Sequence, residues 1–110
     1  MSTMSGHLVC LVTTPPDRAV PIAEALVERE LVACVNVVAL VHSVYRWKGA
    51  VEHDDEALLV MKTTREAVAP LRDALGELHP YETFELVALD VADGAPAYLE
   101  WIADSVRLRR

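Results

Sequence analysis

The run from Ala33 to Thr63 constrains this chain more than any other, because it reads as two long β-strands folded back at Lys48-Gly49. Ala33 to Trp47 is rich in β-branched residues, apolar at successive positions as far as Val41 and polar afterwards, and Ala50 to Thr63 is the returning strand. At about 3.3 Å per residue, strands of about 14 residues reach roughly 45 Å, far beyond the usual strand of about 5 to 6 residues. A chain of 110 residues holds too little else to cover such a hairpin. Val35, Val37, Val38, Ala39, Leu40 and Val41 are apolar on both faces of the strand. The face left free by this chain's own helices is therefore expected to meet another copy, most simply in closed symmetry. A hydrophobic share of 53%, high for one small domain, points the same way.

The flanking segments complete an α+β plan. His7 to Thr14 reads as strand 1, closed by Pro15-Pro16. Asp17 is the expected N-cap of a first helix, with Ala19, Ile22, Ala23 and Leu26 at helical spacing and an end near Leu31. Thr63-Thr64-Arg65-Glu66 has capping-box form, and Leu71, Ala74, Leu75 and Leu78 make the apolar side of a second helix. Pro70 requires that helix to start near Val68 or to bend, and His79-Pro80 ends it. Phe84 to Val91 is the expected strand 4, and Pro96 opens a last helix with Tyr98, Trp101, Ile102 and Val106 on its apolar side. The order β-α-β-β-α-β plus a C-terminal helix is a ferredoxin-like sandwich over a single domain, 1–110, with strand 3 between strands 1 and 2 and both crossover helices on one face.

Composition removes several classes of function. A net charge of -7 opposes phosphate backbones, and the only basic cluster, Arg107, Arg109 and Arg110, sits at the chain's end. The longest apolar run, Leu31 to Val41, contains Asn36 and is about half a membrane span; Met1 to Val12 lacks the basic region of a signal peptide. No nucleic-acid or membrane partner and a cytoplasmic location are the expectation. Cys10 and Cys34 offer no disulfide framework, and strand 3 should separate them. No G-x-S-x-G, H-E-x-x-H or phosphate-cradling glycine loop is present, so no catalytic residues are assigned and no organic cofactor is expected.

Ala33-Cys34-Val35-Asn36, Tyr45-Arg46-Trp47-Lys48-Gly49 with Val51 and Glu52, Asp55-Glu56 before Leu58-Leu59, Lys62-Thr63 and His79-Pro80-Tyr81-Glu82 together resemble the CutA family. Glu85, Ala88-Leu89, Tyr98-Leu99 and Trp101-Ile102 extend the similarity over nearly the whole chain. The resemblance implies a ferredoxin-like subunit, a homotrimer resembling the PII signalling proteins, and a part in tolerance of copper and other divalent cations. Three departures stand out. Ala39-Leu40 replaces a Pro-Gly pair, for which straighter strands are expected; Phe84 and Asp90 replace prolines; and a further cysteine near the second helix is missing, which argues against a cysteine-rich copper site.

The candidate metal ligands are Cys34, whose soft sulfur suits copper, and His79 with Glu82, which match the family motif. Each has a plainer reading: a free cysteine in an apolar strand is a small core residue, and a histidine ending a helix answers its dipole. If the hairpin turn is two residues, His42, His53 and Asp55 share one face, either as a metal-binding or pH-responsive cluster or as a solvated tip. Tyr45, Arg46, Trp47 and Trp101 are the candidate subunit-interface residues, with ligand stacking as the alternative. The acidic run Glu52 to Glu56 attracts cations or simply faces water. The expected function is a trimeric, metal-responsive binding protein; a PII-like module holding a small ligand between subunits is the alternative.

Overall fold

The four strands β1 (His7–Thr14), β2 (Cys34–Trp47), β3 (Ala50–Thr64) and β4 (Val87–Asp90) form one sheet in the order β2-β3-β1-β4. The expected central place of β3 is what the computed structural model shows, and every neighbouring pair is antiparallel. Residues 6–108 are described; the start at 1–5, and Arg109 and Arg110 of the basic cluster, lie outside the described residues.

Period-two alternation decides the two faces. Leu8, Cys10, Val12 and Thr14 of β1 are buried, as are Ala57, Leu59, Met61 and Thr63 of β3. Against that face pack α1 (Ala19–Glu28), through Ala19, Ile22 and Leu26, and α2 (Val68–Leu78), through Leu71, Ala74 and Leu75. Each of Ile22, Leu26, Leu71 and Leu75, fully buried, stabilises the fold by about 1.5–3 kcal/mol. Among the described residues, the helix on the opposite face is α3 (Pro96–Ser105), which covers one end of it. There Cys34 Sγ lies 3.6 Å from Tyr98 Oη, and His7 Nε2–H donates to the Leu99 carbonyl at 2.8 Å. Val38, Val87 and Leu89 on that face remain exposed.

The local signals were answered differently at several points. Asp17 does not cap α1; it sits in a 3-10 turn, Pro16–Arg18, that leads into the helix. Helix α1 stops at Glu28, before Leu31, because Glu30 adopts φ 59° and Leu31 N–H returns to the Leu26 carbonyl at 3.2 Å, a left-handed C-terminal lock. The Thr63-x-x-Glu66 box does not form: Thr63 Oγ1 donates instead to the Leu31 carbonyl at 2.6 Å, and a second 3-10 turn, Arg65–Ala67, precedes α2. Helix α2 starts at Val68, so Pro70 falls in its first turn, where no intrahelical donor is lost. Strand β4 is shorter than Phe84 to Val91, because Phe84 and Leu86 turn onto the core and leave only Val87–Asp90 to pair.

The hairpin is not the straighter pair expected from Ala39-Leu40. Val38 pairs with Leu58 but Val41 with Glu56, so Ala39 and Leu40 together face the single residue Ala57 in a β-bulge. Beyond it the ribbon runs to the Lys48-Gly49 turn, where φ is 50° and 81°, the two positive values a tight hairpin needs. Gly49→Val should lower stability by about 1–3 kcal/mol in urea unfolding, since a β-branched residue is strained there, whereas Lys48→Gly should not lower it.

Candidate functional site

The C-terminus of α2 delivers His79 to the end of β1. Its backbone N–H closes the helix on the Leu75 carbonyl at 2.7 Å, and Arg18 donates to the neighbouring Leu78 carbonyl at 3.2 Å. The buried ring then makes two bonds: one nitrogen, Nδ1, accepts from the Tyr81 N–H at 3.1 Å, and the other, Nε2, donates to the Thr13 carbonyl at 2.8 Å. That pattern defines one neutral tautomer and uses both nitrogens. Phe84 stacks on the ring with centroids 5.1 Å apart, and Tyr81 lies tilted at 4.8 Å. His79 therefore clamps the segment that follows α2 to the sheet.

The clamped segment brings Tyr81, Glu82 and Glu85 against the base of the hairpin ribbon. Tyr81 Oη donates to buried Glu56 at 3.2 Å, and Tyr45 donates to Asp54. Between them opens a cleft of about 800 Å³, walled by Thr13, Tyr45, Trp47, Asp54, Glu56, Tyr81, Glu82 and Glu85 among others. Four carboxylates line this one cleft. The Asp54 hydrogen bond first, then desolvation and the nearby acids, pushes the Tyr45 phenol up to about 12. Burial and then the Glu56 charge raise both the Tyr81 phenol and the Glu85 carboxyl above their ordinary values.

The three candidate ligands are placed apart. Glu82 lines the cleft, and His79 stands behind it with both nitrogens occupied. Cys34 pairs with Lys62, which pairs with Val9, whereas His79 is bonded at Thr13, about 13 Å further along β1. Among the described residues no group of three or more His, Cys, Asp or Glu is arranged to hold a metal ion. Both cysteines are unpaired; burial raises the Cys10 thiol pKa. Of the candidate interface residues, Tyr45, Arg46 and Trp47 are consecutive on the ribbon, while Trp101 stands on α3 beside Tyr98 with ring centroids 5.4 Å apart. The sequence signals for the cleft were the acidic run, whose alternate members Glu52, Asp54 and Glu56 share a face, and the family-like runs that hold Tyr81, Glu82 and Glu85; their meeting in one cleft could not be read without the fold. No helix among the described residues is long and apolar enough to cross a membrane.

Residues 8–105 match the family described as CutA1 divalent ion tolerance protein. The chain is 46% identical over 98 residues to the divalent-cation tolerance protein CutA of Thermus thermophilus, covering 88% of this chain and 95% of that protein. It is 43% identical over 107 residues to a CutA homolog of Xenopus laevis, covering 96% and 71%. The solved structure of the divalent cation tolerance protein from Thermus thermophilus superposes with a TM-score of 0.90 at 44% identity, covering 92% and 99% of the two chains. The PII-like protein CutA from Nostoc sp. PCC 7120, solved in apo form, gives 0.88 at 36% identity, covering 93% and 99%. On a family match that spans nearly all of the fold, this chain belongs to the CutA1 family of divalent ion tolerance proteins.

Proposed function

We propose that the chain works as a homotrimer in the cytoplasm, meeting divalent cations, copper among them, by binding rather than by turnover. The acidic cleft carries this reading. Asp54, Glu56, Glu82 and Glu85 line one cleft without being drawn together as a ligand set, and hard or borderline divalent ions prefer the oxygen donors they carry. A carboxyl already raised by burial and then by the Glu56 charge, as Glu85 is, becomes easier to ionise when a cation enters. In this reading Glu82 contacts the ion, His79 holds the loop that presents it, and Cys34 is a separate thiol suited to Cu(I). Two unpaired cysteines suit a reducing compartment. A second reading has its own support: Tyr45, Trp47 and Tyr81 give the cleft flat apolar walls, and about 800 Å³ is the size of a small-molecule pocket. A PII-like module binding a small ligand would use the same space.

The trimer is supported by what one chain leaves uncovered. Val51 is 58% exposed and Val44 57% on one face of the ribbon, Trp47 is 50% exposed on the other, and Leu40 is 64% exposed at the bulge. Scattered exposed apolar residues are ordinary; a contiguous row of them marks a contact surface.

Sedimentation should find three chains per particle, and Trp47→Ala should weaken association by about 2 kcal/mol or more; a stable monomer would refute the assembly. Calorimetric titration with Cu(II) and Zn(II), in a His42→Asn/His53→Asn background, should show saturable uptake that Glu82→Gln weakens, and uptake untouched by Glu82→Gln would sink the cleft as the cation site. For Glu85, a raised folded pKa means stability that is present below the unfolded value and lost as pH rises through the folded one. Glu85→Gln should therefore raise the melting temperature near about pH 7, by a margin that shrinks toward about pH 4, where the wild-type carboxyl is protonated.

A further inference from the structure

Past the bulge, the ribbon's register places His42 opposite Asp55 and Val44 opposite His53, so His42, His53 and Asp55 share the face opposite Tyr45, Asp54 and Glu56. His42 Nδ1 lies 3.0 Å from Asp55 Oδ1, and His42 Nε2 lies 2.9 Å from His53 Nδ1. The carboxylate only accepts, so His42 Nδ1 carries hydrogen. A single proton then fits between the two rings. We propose that this trio is a second cation site, for a first-row divalent transition ion that favours imidazole, with His42 Nε2 and His53 Nδ1 as its two protein ligands and Asp55 as the residue that orients His42.

The distances carry the proposal. Metal–imidazole bonds are about 2.0–2.1 Å, so two such nitrogens at right angles on one ion stand about 2.9 Å apart, which is the spacing already present. A ligand histidine whose other nitrogen donates to a carboxylate is the usual supporting arrangement, since it fixes the tautomer and raises the basicity of the binding nitrogen. The rings are tilted at 44° with centroids 5.2 Å apart, and both are exposed, so a modest rotation about either ring torsion aims the two lone pairs at one ion. No third side chain among the described residues converges there, which makes the site an open clip completed by water rather than a closed cage. The chain's net charge of -7 raises the local concentration of any cation.

Binding exchanges one proton position and leaves the charge of the protein unchanged. With His42 neutral, His53 Nδ1–H donates to His42 Nε2. The ion takes the place of that hydrogen, which is given up to solvent while His53 Nε2 gains one from solvent. The expected order follows the preference of imidazole sites, Cu(II) above Ni(II), with Mg(II) not held.

The site stands apart from the acidic cleft, and its test is separate. Full-length protein is titrated with Ni(II) by calorimetry and with Zn(II) while the ring nitrogens are followed by nuclear magnetic resonance. Saturation near one equivalent per chain is expected, with affinity falling at least about tenfold in His42→Asn or His53→Asn. Asp55→Asn, which keeps both ligands, should weaken it about 10–100-fold. Zn(II) should move the His53 hydrogen from Nδ1 to Nε2. Ni(II) affinity unchanged in His53→Asn, uptake that never saturates, or His53 ring signals that Zn(II) does not shift would each overturn the proposal. Glu82→Gln touches only the cleft, so a loss there with the clip intact, or the reverse, tells the two sites apart.

Discussion

Strand β3 is nearly twice as long as β1, its neighbour on one side, and most of what is unusual in this protein follows from that mismatch. Residues Ala57 to Thr64 pair with β1, but Ala50 to Glu56 pair only with β2 and leave their other edge open. A two-stranded ribbon is marginal in water by itself, and an open edge invites any passing strand. The ribbon answers with charge at Glu52, Asp54, Asp55 and Glu56 and with a twist set by its bulge. Among the described residues, its apolar side chains Val44, Trp47 and Val51 stay exposed. This is the physical ground for expecting neighbouring copies to lie against it.

His79 connects that overhang to the body of the protein. By taking a hydrogen bond from Tyr81 and giving one to Thr13, a neutral ring fixes where the chain runs between α2 and β4. The same fixation sets Tyr81 on Glu56 and leaves Glu82 and Glu85 facing the ribbon. Burial first, and then the Glu56 charge, raises the Glu85 carboxyl there. A structural histidine thus creates an electrostatic site in which it takes no direct part.

The sheet order and tip register were legible in the sequence because they rest on local chemistry. The long Val-rich run, the Lys48-Gly49 turn and the handedness of crossovers leave little choice, and His42 opposite Asp55 follows from counting back from the turn. The cleft was not legible. It depends on a bond between His79 and a backbone carbonyl 66 positions earlier, and on Tyr81 reaching Glu56, neither of which any periodicity encodes. The caps of the first two helices were misread for a related reason: Asp17 and Thr63 have good capping side chains, but 3-10 turns took up the entry to each helix and Thr63 found a partner across the fold. The bulge carried no turn-forming residue at all; it emerges only when pairing is counted from both ends of the hairpin at once.

Those two counts disagree by one residue, and Ala39-Leu40 absorbs the difference. On one side of the bulge, pairing is phased by the buried alternation of Leu59 and Met61; on the other, by the turn. The bulge works as a slip joint between two independently timed halves of one hairpin. Changes at the distal half, in sequence or in the face it presents, need not propagate into the core, so the projecting ribbon is free to diversify its surface chemistry while the sheet beneath it stays the same.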